Sequence, residues 1–432
     1  MGGNLLTSFG LHGVEAMNPG KQLLRQKVLD KVDAHRDDLV RITQELVRIP
    51  SVNPPGDYGP ISQKMAELYR AEGLDPVVAC APQQEVERLE LTYPRPNVIA
   101  LYKGRRHTPV FCLDAHMDVV DIGDESSWTH PPFGGEIHEG HLFGRGAEDT
   151  KCHLACQLIV VRALREAEVA LEGDLILTST VDDEIGQWPG MGYLIEKGFQ
   201  EKGFPRPDYH IAGEPTGVEH VGCLARGRLW YDITFKGRIA HGGNPAEGVN
   251  AIRKAIALAN AVEDNFQLRT DPLMGTDTVN LGILQGGQAI NVVPGACRIT
   301  FDIRPTSRIE VVQDFMNTTI QALGDQDPDF EITRIRLLND RQTGGIGPDH
   351  QFVKMIQRVT REVTGKTVLP SGNMAGYSSL GNAYWTWING VSSVMYGGGD
   401  FLRAHRVDES IALDELLETA RVFAALIVEL CA

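Results

Sequence analysis

The sequence predicts an α/β protein whose mostly parallel sheet, with helices on both faces, is interrupted by an inserted α+β domain. Short apolar runs rich in β-formers alternate with segments of helical periodicity in the first half of the chain and again at its end. That alternation implies parallel strands joined by crossover helices. Near residue 222 the strands become amphipathic, as half-exposed antiparallel strands are. The chain of 432 residues also exceeds the length at which a single core stops growing. The expected division is an α/β domain over 1–221 and 338–432, with the insertion at 222–337.

The elements follow in order. Residues 21–49 carry Leu24, Val28, Val32, Leu39, Ile42, Leu46 and Ile49 at helical spacing, and IPSVNPPGD stops that helix. PVFCLD (109–114) is a buried-strand candidate, followed by a long Gly/Pro-punctuated loop to Gly146 and a helix at about 150–164. DLILTSTV (174–181) and DYHIAG (208–213) are further strands, with a helix at MGYLIEKGF (191–199) between them. In the insertion, the strand RGRLWYDITFKGR (226–238), a helix at 245–266, the strand ACRITFDIRP (296–305), a helix at 307–323 and the strand DFEITRIRLL (329–338) are expected. After GGIGPDH the α/β pattern returns with a helix at 350–364, a strand at GVSSVMY (390–396) and a helix at 413–430.

With 57 acidic against 41 basic residues the net charge is −16, so no positive field is present for a nucleic-acid or anionic-membrane partner. No apolar run approaches the roughly 20 residues that span a bilayer. The N-terminal stretch lacks the basic and apolar regions of a signal peptide, and Leu6 breaks the myristoylation pattern. Seven scattered cysteines without a CxxC pair read as reduced thiols, which suits a cytoplasmic protein. GRGAED and GGGDF meet neither phosphate-loop fingerprint.

Acidic and imidazole groups fall at one place in this arrangement. His116 and Asp118 follow the first strand, Asp182, Asp183 and Glu184 the second, and Glu214 the third, while His405 lies after the strand 390–396. Asp149 begins a helix. Open parallel sheets bind ligands beyond the carboxyl ends of their strands. Singly, each residue reads as a turn, a cap or a solvated charge. Gathered at one rim, they call for a divalent cation. His130, His138, His141 and His153 are left without a role.

HMDVV (116–120), WTHPPFGGEIHEGHLFGRGAEDTK (128–151), VDDEIG (181–186), GEPT (213–216), GRIAHGGNPAEGVNAI (237–252), NVVP (291–294), DIR (302–304) and GGGDFLRAHRVDE (397–409) occur in this order. With them the chain resembles the acetylornithine deacetylase / succinyl-diaminopimelate desuccinylase / glutamate carboxypeptidase family of metal-dependent amidohydrolases. The resemblance covers most of the chain. It implies one or two divalent ions (zinc, or else manganese or cobalt), with His116 and Glu214 on the first, Glu184 and His405 on the second, and Asp149 bridging. It implies a metal-activated water that attacks the C–N bond of a small molecule, and a non-proline cis peptide at Asp149–Thr150. Asp118 would orient the His116 imidazole. His241 would stabilise the oxyanion, and Asn291 and Arg304 would bind substrate, Arg304 alternatively serving as a structural ion pair. The insertion at 222–337 would be a lid through which a homodimer forms.

The chain departs from the family pattern at three places. Asp183 stands where the general base is usually Glu, one methylene longer, which keeps a catalytically weakened binding protein open beside the peptidase, deacylase and aminohydrolase readings. SGNMAGYSS (371–379) lacks the usual acid, and Thr150 and Cys152 replace Met and Gly beside the bridge. Cys152 is expected to be a buried neighbour.

Overall fold

The computed structural model describes residues 19–186, 188–372 and 380–432. The N-terminal stretch and all but Ser371 and Gly372 of the segment SGNMAGYSS (371–379) lie outside them. The described residues form two compact units. One comprises Pro19–Cys223, Ile346–Pro370 and Leu380–Ala432, and the other Leu224–Gly345 with Ser371 and Gly372. The second unit thus begins two residues after the expected 222 and runs eight past 337, because the last strand of its sheet extends to Arg341.

The first unit is built on an eight-stranded sheet in the order Val77–Cys80, Pro96–Tyr102, Asp174–Thr180, Val110–His116, Tyr209–Ala212, Ser392–Met395, His220–Gly222 and Leu369–Ser371. The four middle strands are parallel. Val77–Cys80 and Pro96–Tyr102 on one side, and His220–Gly222 on the other, run antiparallel to their neighbours, so the sheet is mixed at its flanks. Val110–His116 and Asp174–Thr180 are buried at every position, which is why they read as unbroken apolar runs.

Alternation along these strands feeds two layers. Val110, Cys112 and Ile176 pack with Met191, Tyr193, Leu194 and Phe199 on one face. Phe111, pointing the other way, meets Phe352 of the helix Gln351–Thr364 at 6.3 Å between ring centroids. The helix Lys151–Glu166 is buried nearly all round, as a central helix must be. Residues 21–49 form two helices rather than one, Pro19–Ala34 and Arg36–Val47. The chain leaves helical geometry at His35, whose ring faces Asp38 at 3.3 Å. The expected helix at 191–199 contains a π turn at Leu194–Gly198. No helix among the described residues is long and apolar enough to cross a membrane. All seven cysteines are free, six of them buried.

The second unit is a four-stranded antiparallel sheet in the order Thr278–Gly286, Ala296–Arg304, Arg228–Lys236, Glu331–Arg341. The helices Ala251–Asn265 and Ile309–Gln326 cover its apolar face around Leu229, Ile233, Phe235, Ile299 and Phe301. Asn250 caps the first of these by accepting the Arg253 N–H at 3.2 Å. The strand Thr278–Gly286 completes a β-α-β-β-α-β unit and was absent from the sequence expectation. It lies at the sheet edge, where a bulge between Leu281 and Ile283 breaks its alternation and leaves Ile283 and Leu284 exposed.

Ile176 is fully buried at the centre of the first unit's core. Ile176→Ala is expected to lower unfolding free energy by about 2–5 kcal/mol, read from urea denaturation midpoints.

Candidate metal centre

The carboxyl ends of the parallel strands deliver the charged groups. His116 is the last residue of its strand, Glu214 comes two residues after Tyr209–Ala212, and Glu184 four residues after Asp174–Thr180. Asp149 lies in the turn before the helix Lys151–Glu166, and the Asp149–Thr150 peptide is cis. His405, in left-handed backbone geometry at φ 65°, belongs to the loop after Ser392–Met395.

Ligand-type atoms of His116, Asp149 and Glu214 lie within 4.8 Å of one another, as do those of Asp149, Glu184 and His405. Asp149 is common to both groups. Its Oδ1 is 3.0 Å from His116 Nε2, and its Oδ2 is 3.3 Å from His405 Nε2. Glu184 Oε2 approaches His405 Nε2 to 3.0 Å, and Glu214 Oε1 lies 4.0 Å from His116 Nε2. The His405 side chain is 42 % exposed, whereas the carboxylates of Asp149 and Glu184 are 7 % exposed, so the second group is the one open to solvent.

These contacts demand positive charge. His116 Nδ1 faces the Asp118 main-chain carbonyl at 2.9 Å, an acceptor, so Nδ1 carries the hydrogen and Nε2 turns towards carboxylate oxygen. A lone pair facing an anion is stable only with a cation or a proton between them. Burial disfavours the His116 imidazolium, yet Asp118 and Asp149 hold its pKa well above the usual histidine range. Burial likewise opposes His405, and Asp149 with Glu184 pushes it up to about 11. Burial would raise Asp149, but the two imidazoles keep it below the usual carboxylate range. Glu184 is pushed up to about 7 by burial and by the Asp149 charge, and Glu214 is raised by burial and then by Asp183. Buried Glu184 Oε1 has no hydrogen-bond partner among the described residues. Two imidazoles, three carboxylates and an orphaned oxygen fit divalent cations, which displace the protons that ligands would otherwise hold.

The model of Peptidase family M20/M25/M40 matches residues 112–429. The chain belongs to that family. It is 25% identical to an N-formyl-4-amino-5-aminomethyl-2-methylpyrimidine deformylase of Bacillus subtilis, covering 93% of this chain and 96% of the relative. It is 30% identical to a succinyl-diaminopimelate desuccinylase of Alkalilimnicola ehrlichii over 67% of this chain and 73% of the relative. Its fold superposes on an aminopeptidase from Bacillus cereus with a TM-score of 0.72 at 20% identity, over 91% of this chain and 98% of that one. As a member of the M20/M25/M40 family, the protein is a metal-dependent hydrolase of amide C–N bonds in small molecules.

The three consecutive acids of this family member do different things. Asp182, in left-handed geometry at φ 62°, turns its fully buried side chain away from the centre. There it pairs with Arg95 Nε at 2.9 Å and accepts from Tyr58 Oη at 2.8 Å and Asn53 Nδ2 at 3.1 Å. Asp183 lies on the Glu214 side. A Cβ at Gly381 would sit 2.8 Å from Glu214 Oε1 and 3.3 Å from Asp183 Oδ1, so the two carboxylates crowd the same glycine, itself in left-handed geometry at φ 48°. Glu184 alone of the three joins a ligand group.

Asp118 faces His116 Nδ1 with two groups, its main-chain carbonyl and its carboxylate. Its main-chain carbonyl orients His116, while its carboxylate, 3.5 Å from Nδ1, accepts from Asn53 Nδ2 and from the N–H groups of Asp183 and Glu184 at 3.1, 3.3 and 3.2 Å. A buried carboxylate needs several donors, and the loop amides supply what one imidazole cannot. Among the unassigned histidines, His153 Nε2 lies 3.1 Å from the Gly398 carbonyl, and His130 stacks on Phe143. Cys152 is buried against the Glu148 carbonyl, as expected.

In the second unit, exposed His241 accepts the Gly243 N–H at Nδ1 and bridges to Val292, and the Asn291 carbonyl accepts from Gly242. Arg304 forks onto Asp302 with Nε and Nη2, at 2.6 and 2.9 Å.

Beneath the centre, fully buried His210 contacts Thr386 Oγ1 at 3.0 Å, and burial pushes its pKa down to about 3. The unfolded chain protonates this residue near pH 6.5, so through that window the unfolded state binds more protons and stability falls as pH falls. His210→Gln is expected to flatten the decline between pH 6.5 and 3 by up to about 1.4 kcal/mol per pH unit, measured as the difference between two urea-stability profiles.

Proposed function

We propose that the protein removes a short acyl group from the amine nitrogen of a small molecule, using one or two divalent ions held by His116, Asp149 and Glu214 and by Asp149, Glu184 and His405. The observation that carries this reading is the Asp149 carboxylate offering one oxygen to each imidazole. Likeness to a deformylase over nearly the whole chain, and to a desuccinylase over most of it, supports a short acyl group. Two imidazoles with three carboxylates suit zinc, and the oxygen-rich set also suits manganese or cobalt. When bound, such ions acidify a water and polarise the scissile carbonyl.

The chain's own residues do the rest. Asp183 takes the proton of the attacking water on its carboxylate and returns it to the leaving nitrogen. Asp118 holds that base in place by accepting the Asp183 and Glu184 N–H groups, while its carbonyl keeps the His116 ring turned inward. From the second unit, His241 stabilises the developing oxyanion. Asn291 binds a polar group of the substrate, and Arg304, with Nη1 remaining beside its Asp302 pair, binds a carboxylate. A homodimer through residues 222–337 and a cytoplasmic location, in keeping with seven free thiols, complete the proposal.

Asp183→Asn is expected to lower kcat by about 10²–10⁴-fold with metal content unchanged, and undiminished turnover would remove Asp183 from the role of base. Incubation with N-formyl and N-succinyl amines, dipeptides and aromatic amines is expected to yield hydrolysis of the short acyl amides. A chelator should abolish it and added zinc or manganese restore it. Turnover confined to the unacylated amines would make the protein an aminohydrolase instead.

A further inference from the structure

We infer that Glu409 is a positioning residue for the metal centre: its buried carboxylate, closed by Arg145, sets the orientation in which Asp149 offers an oxygen to each imidazole. The inference rests on the reading of Asp149 as a ligand common to both groups. Glu409 is 1 % exposed, and its Oε1 accepts from the main-chain N–H groups of Gly146, Glu148 and Asp149 at 2.9, 3.3 and 3.3 Å. Three donors of one turn therefore converge on one oxygen, and the last of them belongs to the ligand itself. The other oxygen, Oε2, takes Arg145 Nη1 at 2.6 Å. Arg145, 2 % exposed, is anchored in turn on the carbonyls of Arg406 and Asp121, with its guanidinium 5.2 Å from the Trp128 ring centre.

This arrangement differs from that of two other buried carboxylates in ion pairs. Glu72 accepts from the side chains of Arg162 and Arg165, and Asp182 from Arg95, Tyr58 and Asn53. Those carboxylates tie side chains together. Glu409 alone of the three gathers the backbone of a ligand-bearing turn. It also sits four residues after His405, so one short segment carries a second-group ligand and fixes the turn of the shared one. Glu148 strengthens the link from the opposite side, its Oε2 accepting the Asp400 N–H at 2.9 Å within the His405 loop. Asp149 can divide its oxygens between His116 and His405 only while both segments hold their mutual placement.

Zinc titration of folded protein tests this. Glu409→Gln replaces the anion facing Arg145 with an amide and is expected to weaken zinc affinity by about 10–100-fold. Glu409→Asp, which keeps the charge, should recover part of the loss. Glu72→Gln serves as the control for a structural ion pair, lowering Tm while leaving zinc affinity as it was. A change below about twofold in both Glu409 variants overturns the inference. Hydrogen exchange of the wild-type protein gives a readout that needs no variant. With metal stripped, the Gly146, Glu148 and Asp149 amides should stay protected, and exchange at unprotected rates overturns it equally. Asp149→Asn separates the two levels: unchanged zinc affinity there would sink the ligand reading itself, whereas loss there with unchanged Glu409 variants sinks only the positioning role.

Discussion

The arrangement around Asp149 follows from one electrostatic constraint: several carboxylates share a desolvated space with too little positive charge of their own. Taking an ion out of water costs several kcal/mol unless it is paired and hydrogen-bonded. Elsewhere in the first unit the fold meets that cost locally, setting Arg95 against Asp182 and Arg145 against Glu409. Glu184 and Glu214 instead face the imidazoles of His405 and His116. Three carboxylates against two imidazoles leave an excess of negative charge, which suits a divalent cation.

Much of this was legible in the sequence because it depends on where strands end. Val110–His116 and Asp174–Thr180 are buried on both faces, so they read as apolar runs, and the residues after them had to reach the sheet rim. What sequence could not supply was side-chain direction. Asp182, Asp183 and Glu184 are adjacent acids, yet only their backbone angles and the buried Arg95 decide that one pairs inward, one crowds Glu214 and one meets His405. Glu409 was visible in the HRVDE stretch, but its partners are main-chain amides more than 250 positions away, which leave no residue-type signature. The edge strand Thr278–Gly286 escaped for a different reason, since Val279 and Leu281 alternate towards the core but the bulge between Leu281 and Ile283 breaks the pattern.

The Asp183 segment is fixed by its backbone and by the glycine it faces. Its loop is drawn in by the Asp118 carboxylate, which takes two successive N–H groups, and Gly381 leaves room that any side chain would fill. The same Asp118 orients His116 through its carbonyl, so one residue governs both the ring that faces Asp149 and the loop that bears Asp183 and Glu184.

The inserted unit opens and closes on a pair of antiparallel neighbours, Leu224–Ala225 against Gly344–Gly345. A segment of more than a hundred residues therefore departs from and rejoins its host at adjacent points, like the loop of a hairpin. Joining such ends asks little more of the host chain than a tight turn would, since closure entropy depends on the span to be bridged. The chain is in this sense modular, and a short connector between Cys223 and Ile346 would spare the sheet that carries the histidines and carboxylates, leaving a reduced scaffold on which they can be studied alone.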